Sequence, residues 1–128
     1  MEITIGTKGT VTTLVEREDT AAEVCSGALL VYATPCMIAL MEGAACEALA
    51  NLLPEEKTSV GIHLDVAHIS ATPVGMEVRA EAEVTAVEGN IISFNVTAYD
   101  EAGKIGEGTH KRAIISSQKF LEKTYAKL

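Results

Sequence analysis

Between Thr34 and Pro54 the sequence allows one long helix and little else, and the chain beyond it is a run of strands. Thr34-Pro35 is a helix start: Thr supplies an N-cap oxygen, and Pro at the first helical position gives up an N–H that has no partner there. Pro54 sets the stop, so the helix is predicted to run to about Leu53. Gly43, Ala44, Ala45, Ala48 and Ala50 make it narrow and almost wholly apolar, so strands can approach it closely. A helix of that kind belongs inside a fold that covers it.

The strands read from alternation and turn chemistry. Residues 60–71 form a strand-like segment closed by Thr72-Pro73-Val74-Gly75. In 76–87, Val78, Ala80, Ala82, Val84 and Ala86 alternate with Glu77, Arg79, Glu81 and Glu83, the mark of a half-buried strand. Glu88-Gly89-Asn90 is a turn, Ile92, Phe94, Val96 and Ala98 are the apolar face of the next strand, and 100–103 turn into a last strand over 105–115. Residues 3–16, rich in Thr and Val, predict an opening strand with a kink or turn at Gly6 and Gly9, while 17–33 carry no clear period. Ser116 is placed to cap a short helix with Phe120, Leu121, Tyr125 and Leu128 on its apolar side. One helix with consecutive antiparallel strands predicts an α+β fold, a curled sheet wrapped around a central helix, as a single domain over 1–128 without linker or repeat.

With no Trp, two Phe and three Tyr, the core must be aliphatic, and stacking platforms for nucleic-acid bases are not expected. A net charge of −8 argues against DNA or acidic lipid surfaces as partners. The charge is uneven: from Lys104 onward six basic residues face two acidic ones, enough for a local patch that holds phosphates or simply for a solvated surface helix. Cys25, Cys36 and Cys46 are an odd number without CxxC spacing, which fits a reducing compartment. The start Met1-Glu2-Ile3-Thr4 shows no secretory pattern, and the uncharged stretch 24–41 contains Ser, Gly, Thr and Pro, so it reads as a loop entering a helix and not as a membrane span. A cytoplasmic protein is expected.

Three positions carry chemistry that the fold alone does not require. At 100° per residue, Ile38, Ala45 and Leu49 fall within about 60° of Glu42, which therefore sits in an apolar stripe, whereas Glu47 turns to the opposite, solvated side. A carboxylate so placed is either functional or held by hydrogen bonds at a contact. Thr34 is explained by capping, yet its hydroxyl also stands in the positive field of a helix N-terminus, among free N–H groups able to steady an oxyanion. Cys36 shares that field, although a small buried apolar side chain is the simpler reading. In Gly61-Ile62-His63-Leu64-Asp65-Val66-Ala67-His68 the two histidines have opposite parity, and His68, in step with Val66 and Ile62, is the core-facing one. A metal site of His63, Asp65 and His110 has little support from spacing, and neither metal nor cofactor is expected.

Three stretches, 33–42 (ATPCMIALME), 61–75 ending His68-Ile69-Ser70-Ala71-Thr72-Pro73-Val74-Gly75, and 106–112 (GEGTHKR), resemble in order and spacing the fluoroacetyl-CoA thioesterase branch of the hotdog superfamily. The likeness spans roughly residues 10–120. It implies a hotdog dimer with acyl-CoA clefts at the interface, Thr34, Glu42 and His68 as the catalytic group, and Gly61 and Arg112 as supporting, substrate-binding residues. The fluoroacetyl-specific enzyme carries a Phe-bearing lid before its catalytic helix, and 17–33 contain no Phe here, so the resemblance extends to thioester hydrolysis more than to that selectivity. Hydrolysis requires a nucleophile or activated water, a base near neutral pKa and oxyanion donors. Glu42 attacking to form a transient anhydride, and Thr34 or a His68-activated water attacking while Glu42 orients, are both open. A non-catalytic acyl-CoA-binding module and an enoyl-CoA hydratase of the same fold are the alternatives.

Overall fold

The computed structural model describes residues 2–128. Five antiparallel strands, β1 (Lys8–Leu14), β2 (Lys57–His68), β3 (Glu77–Glu88), β4 (Ile91–Tyr99) and β5 (Lys104–Ser116), form one sheet in the order β1-β3-β4-β5-β2. Helix α1 (Thr34–Leu49) lies across it, and α2 (Ser117–Tyr125) ends the chain. β3, β4 and β5 are joined by short turns as a meander. β1 and β2 are added at its two edges by long-range pairing.

The alternation read in β3 and β4 is the burial pattern observed. Val78, Ala80, Ala82 and Val84, with Ile92, Phe94, Val96 and Ala98, turn inward onto Met37, Met41, Ala44, Ala45, Ala48 and Leu49 of α1. Fully burying each larger side chain, such as Phe94, Met37 or Met41, contributes about 1.5–3 kcal/mol. Small residues let the layers close. Gly9 of β1 lies so near the helix that a Cβ there would run into the Ala44 carbonyl and the Ala48 amide.

Several boundaries differ from expectation. Helix α1 ends at Leu49, short of Leu53: the Ala50 N–H bonds to the Glu47 carbonyl, three residues back, so the last turn tightens and unwinds well before Pro54. The N-cap is Ala33, and Thr34, already helical, makes no capping bond. β2 begins at Lys57, paired with Ser116. Ser116 caps α2 by position without a side-chain hydrogen bond, and Phe120, Leu121, Tyr125 and Leu128 are exposed. Nor is α1 covered on every side, because one sheet hides one face; Pro35, Ala39, Cys46 and Glu47 are exposed on the other. Residues 20–33, ambiguous in sequence, fold as a flap after a turn at Arg17–Asp19, tied by a Thr20–Tyr32 bridge and by the Tyr32 N–H to the Thr72 carbonyl.

Candidate active site

Two clusters of polar side chains lie along the seam between α1 and β2. At the first turn of α1, freed from capping, Thr34 places its Oγ1 2.7 Å from Nδ1 of His68, the last residue of β2. When the hydroxyl donates, Nδ1 accepts and the ring proton lies on Nε2, the tautomer in which His68 can take the proton of Thr34. That Nε2 is buried and meets no hydrogen-bond partner among the described residues. Burial lowers the pKa of His68, against a weaker opposite pull from the Ser70 backbone, so the imidazole is neutral at neutral pH and able to take a proton. A cleft of about 320 Å³ opens beside the pair, lined by Ala21, Val31, Tyr32 and Ile69 among others.

The second cluster gathers around Arg112 on β5. The guanidinium is buried, and its Nε and Nη2 donate to Ser59 Oγ (2.8 Å) and the Ser59 carbonyl (3.0 Å). Its Nη1 donates to Glu42 Oε2 at 3.3 Å and lies 3.2 Å from His110 Nε2. Glu42 is thus not sealed in an apolar stripe. Its side chain is 35% exposed, one oxygen facing Arg112, and no partner of its Oε1 is found among the described residues. Gly61 stands opposite Arg112 in the β2–β5 register, where the pairing slips by one residue, and a Cβ at Gly61 would strike the Glu42 carboxylate. Only a glycine leaves that oxygen its position.

The sequence-predicted residues therefore fall into two groups. Thr34 and His68 meet, as do Glu42, Gly61 and Arg112, but the groups do not meet within one chain: Glu42 is eight residues, about 12 Å along the helix, from Thr34. Arg112, counted among substrate-binding residues, directs Nε, Nη1 and Nη2 to partners inside the protein, Glu42 among them. Cys36 is no thiolate, since burial first, and Asp19 second, push its thiol up. His63 and Asp65 are exposed while His110 is fully buried, and no cluster of three metal-ligating side chains forms among the described residues. Ser59 and His110 were not expected in a site. For His110 a signal existed, the shared parity of Gly106, Gly108, His110 and Arg112; for Ser59 there was none.

Comparison with known proteins agrees with this fold. The family model described as fluoroacetyl-CoA-specific thioesterase matches residues 15–118. The fluoroacetyl-CoA thioesterase of Streptantibioticus cattleyicolor is 42% identical over 97 residues, 76% of this chain and 70% of that protein. A solved structure of the fluoroacetyl-CoA thioesterase superposes with a TM-score of 0.95 at 34% identity, covering 100% of this chain and 99% of the other. A thioesterase superfamily member from Thermus thermophilus does so at 0.89 and 30% identity, over 98% and 93% of the two chains. With its curled five-stranded sheet, its central helix and these matches, the chain belongs to the fluoroacetyl-CoA-specific thioesterase family of hotdog proteins.

Proposed function

We propose that the protein hydrolyses the thioester of an acyl-coenzyme A to a carboxylate and free coenzyme A, with Thr34, Glu42 and His68 as the reacting groups. The observation that carries this is the 2.7 Å contact between Thr34 Oγ1 and a neutral His68 at the mouth of a cleft. The imidazole takes the proton of the attacking O–H, from Thr34 or from water. The C–S bond breaks, and the proton passes to the departing thiolate. If Thr34 attacks, His68 next takes a proton from water, the water oxygen bonds the acyl carbon, the ester C–O bond breaks and the proton returns to Thr34 Oγ1. Glu42, aligned by Arg112 and given room by Gly61, orients the attacking group or attacks the carbonyl itself, expelling the thiolate and leaving an anhydride that water opens to two carboxylates. The surface lysines of the last quarter, such as Lys119, Lys123 and Lys127, remain to meet the phosphates of coenzyme A.

The working unit in this reading is a homodimer of single-domain subunits. β2 is an edge strand whose outer N–H and C=O groups have no partner strand among the described residues, and Ile62 on it is half exposed. Antiparallel pairing of two copies about a twofold axis between Leu64 and Asp65 sets Gly61 of one opposite His68 of the other. In this reading each active site combines Thr34 and His68 of one subunit with Glu42 and Gly61 of its partner, which is supported by the buried Nε2 of His68 that meets no partner among the described residues. Three free thiols support a reducing, cytoplasmic setting, and no helix among the described residues is long and apolar enough to cross a membrane.

Release of free thiol from short, branched, aromatic and long acyl-CoAs, followed with a thiol reagent, tests the activity. Thiol release on at least one is expected. Tight binding without release points to the non-catalytic module, and hydration of an enoyl-CoA without release points to the hydratase; either outcome overturns the reading. Sedimentation must give twice the 13.5-kDa chain mass.

A further inference from the structure

The motif 106–112 contains one residue to which thioester hydrolysis gives no task. His110 is fully buried on β5, its ring stacked on Phe94 with centroids 6.0 Å apart and planes 27° apart. An apolar ring would fill that space without the cost of burying two polar nitrogens, so the nitrogens need a reason. Nδ1 lies 2.8 Å from the His63 carbonyl, which can only accept, so the proton sits on Nδ1 and Nε2 presents a lone pair. Facing Nε2 at 3.2 Å is Arg112 Nη1, which can only donate. The same nitrogen is 3.3 Å from Glu42 Oε2.

Nη1 carries two protons, and His110 and Glu42 take one each. On the far edge of the guanidinium, Ser59 binds Nε and Nη2 through its hydroxyl and its carbonyl. The plane is therefore pinned at both edges, and the proton directed at Glu42 has a fixed line. Burial, and then the charge of Arg112, outweigh the His63 carbonyl and Glu42 and lower the pKa of His110, which keeps Nε2 an acceptor at neutral pH.

We propose that His110 is a positioning residue for Glu42, acting through Arg112 Nη1 and reaching no substrate itself. This rests on the reading of Glu42 as a reacting carboxylate. A merely structural His110 would be as well served by any side chain that fills the space; a positioning one needs an acceptor at the place of Nε2.

The test separates the two nitrogens. His110→Gln sets an amide oxygen near the place of Nε2 and gives up the bond to His63, whereas His110→Asn keeps a donor to His63 and stops short of Arg112. His110→Asn is expected to lower kcat about tenfold or more with KM changed less than about twofold, and His110→Gln to recover most of that loss. In a Glu42→Gln background His110→Asn is expected to have no further effect, because the group it positions is already disabled. If Asn does not fold, His110→Phe, which keeps the stacked ring, takes its place. Equal losses for Asn and Gln that follow their melting temperatures, or losses that multiply in the Glu42→Gln background, overturn the proposal. A second readout needs no substrate: nitrogen-15 NMR should show slower rotation of the Arg112 guanidinium in the wild type and His110→Gln than in His110→Asn, where Ser59 and Glu42 alone hold it. Equal rates in all three sink the pinning geometry. Should the wild type cleave no acyl-CoA, the thioesterase reading falls by itself, and the guanidinium signals still decide whether His110 holds Arg112.

Discussion

The Thr34–His68 pair and the Arg112 cluster lie along one seam and are built in opposite ways. The first is sparse: one exposed hydroxyl, one half-buried imidazole, one hydrogen bond and an Nε2 left without a partner. The second is dense, with a buried guanidinium tied to Ser59, Glu42 and His110 and Oε1 of Glu42 left free among the described residues. Unmet hydrogen-bonding capacity is what a substrate or a second subunit can use. Capacity already met is what keeps a charged side chain where it is. Activity and stability should therefore separate in the first cluster and travel together in the second.

The strongest challenge to that contrast is to disable one member of each. Glu42→Gln should lower kcat at least about a hundredfold, the lower end of acid–base contributions. It should also destabilise the fold by on the order of 1–2 kcal/mol, below the 3–5 typical of fully buried pairs because Glu42 is 35% exposed. Thr34→Ala should cost about tenfold or more in kcat and leave the melting temperature unmoved, since the residue is exposed and caps nothing. Equal thermal shifts in the two variants would erase the distinction. An apolar stripe around Glu42 would predict that neutralising it spares stability or improves it; the ion pair with Arg112 reverses that sign.

Gly61→Ala probes the second cluster more gently. The added Cβ strikes the carboxylate of Glu42 and sits 3.3 Å from His110 Cε1 and 3.4 Å from Arg112 Nη1. Because the struck atom ends a flexible side chain, the fold should survive while Glu42 swings aside. A loss of about tenfold in kcat is expected, as when a reacting group is misplaced rather than removed, with a thermal shift smaller than that of Glu42→Gln in the same proportion. An unchanged kcat would mean that the position of Glu42 is unimportant.

The smallest effect is on stability as a function of pH. Burial lowers the folded-state pKa of both His68 and His110 below 6.5. In that window the unfolded chain binds more protons than the folded one, so stability falls as pH drops below about 6.5 and levels off under the folded values. Thermal midpoints between neutral pH and about 5 should decline in the wild type and decline less in His110→Gln. Identical slopes would show that His110 does not contribute.

Local pattern made the strands and the helix start legible, because alternation and a Thr-Pro pair report on their own neighbourhood. It could not place the helix end: Ala50, Asn51, Leu52 and Leu53 suit a helix well enough, and the bonds that tighten the chain there, Ala50 to Glu47 and Leu52 to Leu49, leave no mark in residue type. It found Glu42 without its partner, which lies 70 residues on, and Ser59 reaches Arg112 across 53. The likeness to the thioesterase family joined Thr34, Glu42 and His68, which the residues themselves offered, into one catalytic group and added Gly61 and Arg112. What it could not supply was their grouping, with Arg112 turned inward and His110 behind it.

The sheet order has a consequence for how this molecule assembles in time. The meander of β3, β4 and β5 closes through short turns, whereas α1 and β2 must come in over long loops, and contacts far apart in sequence form late. Thr34, Glu42, Gly61 and His68 all belong to the late arrivals, while Arg112 and His110 are already standing on the meander. The chain thus lays down the fixed half of its machinery as a template and adds the reacting half to it. Substitutions that destabilise the reacting half, such as Glu42→Gln, should accordingly show themselves in how fast the protein unfolds, with the rate of folding nearly untouched.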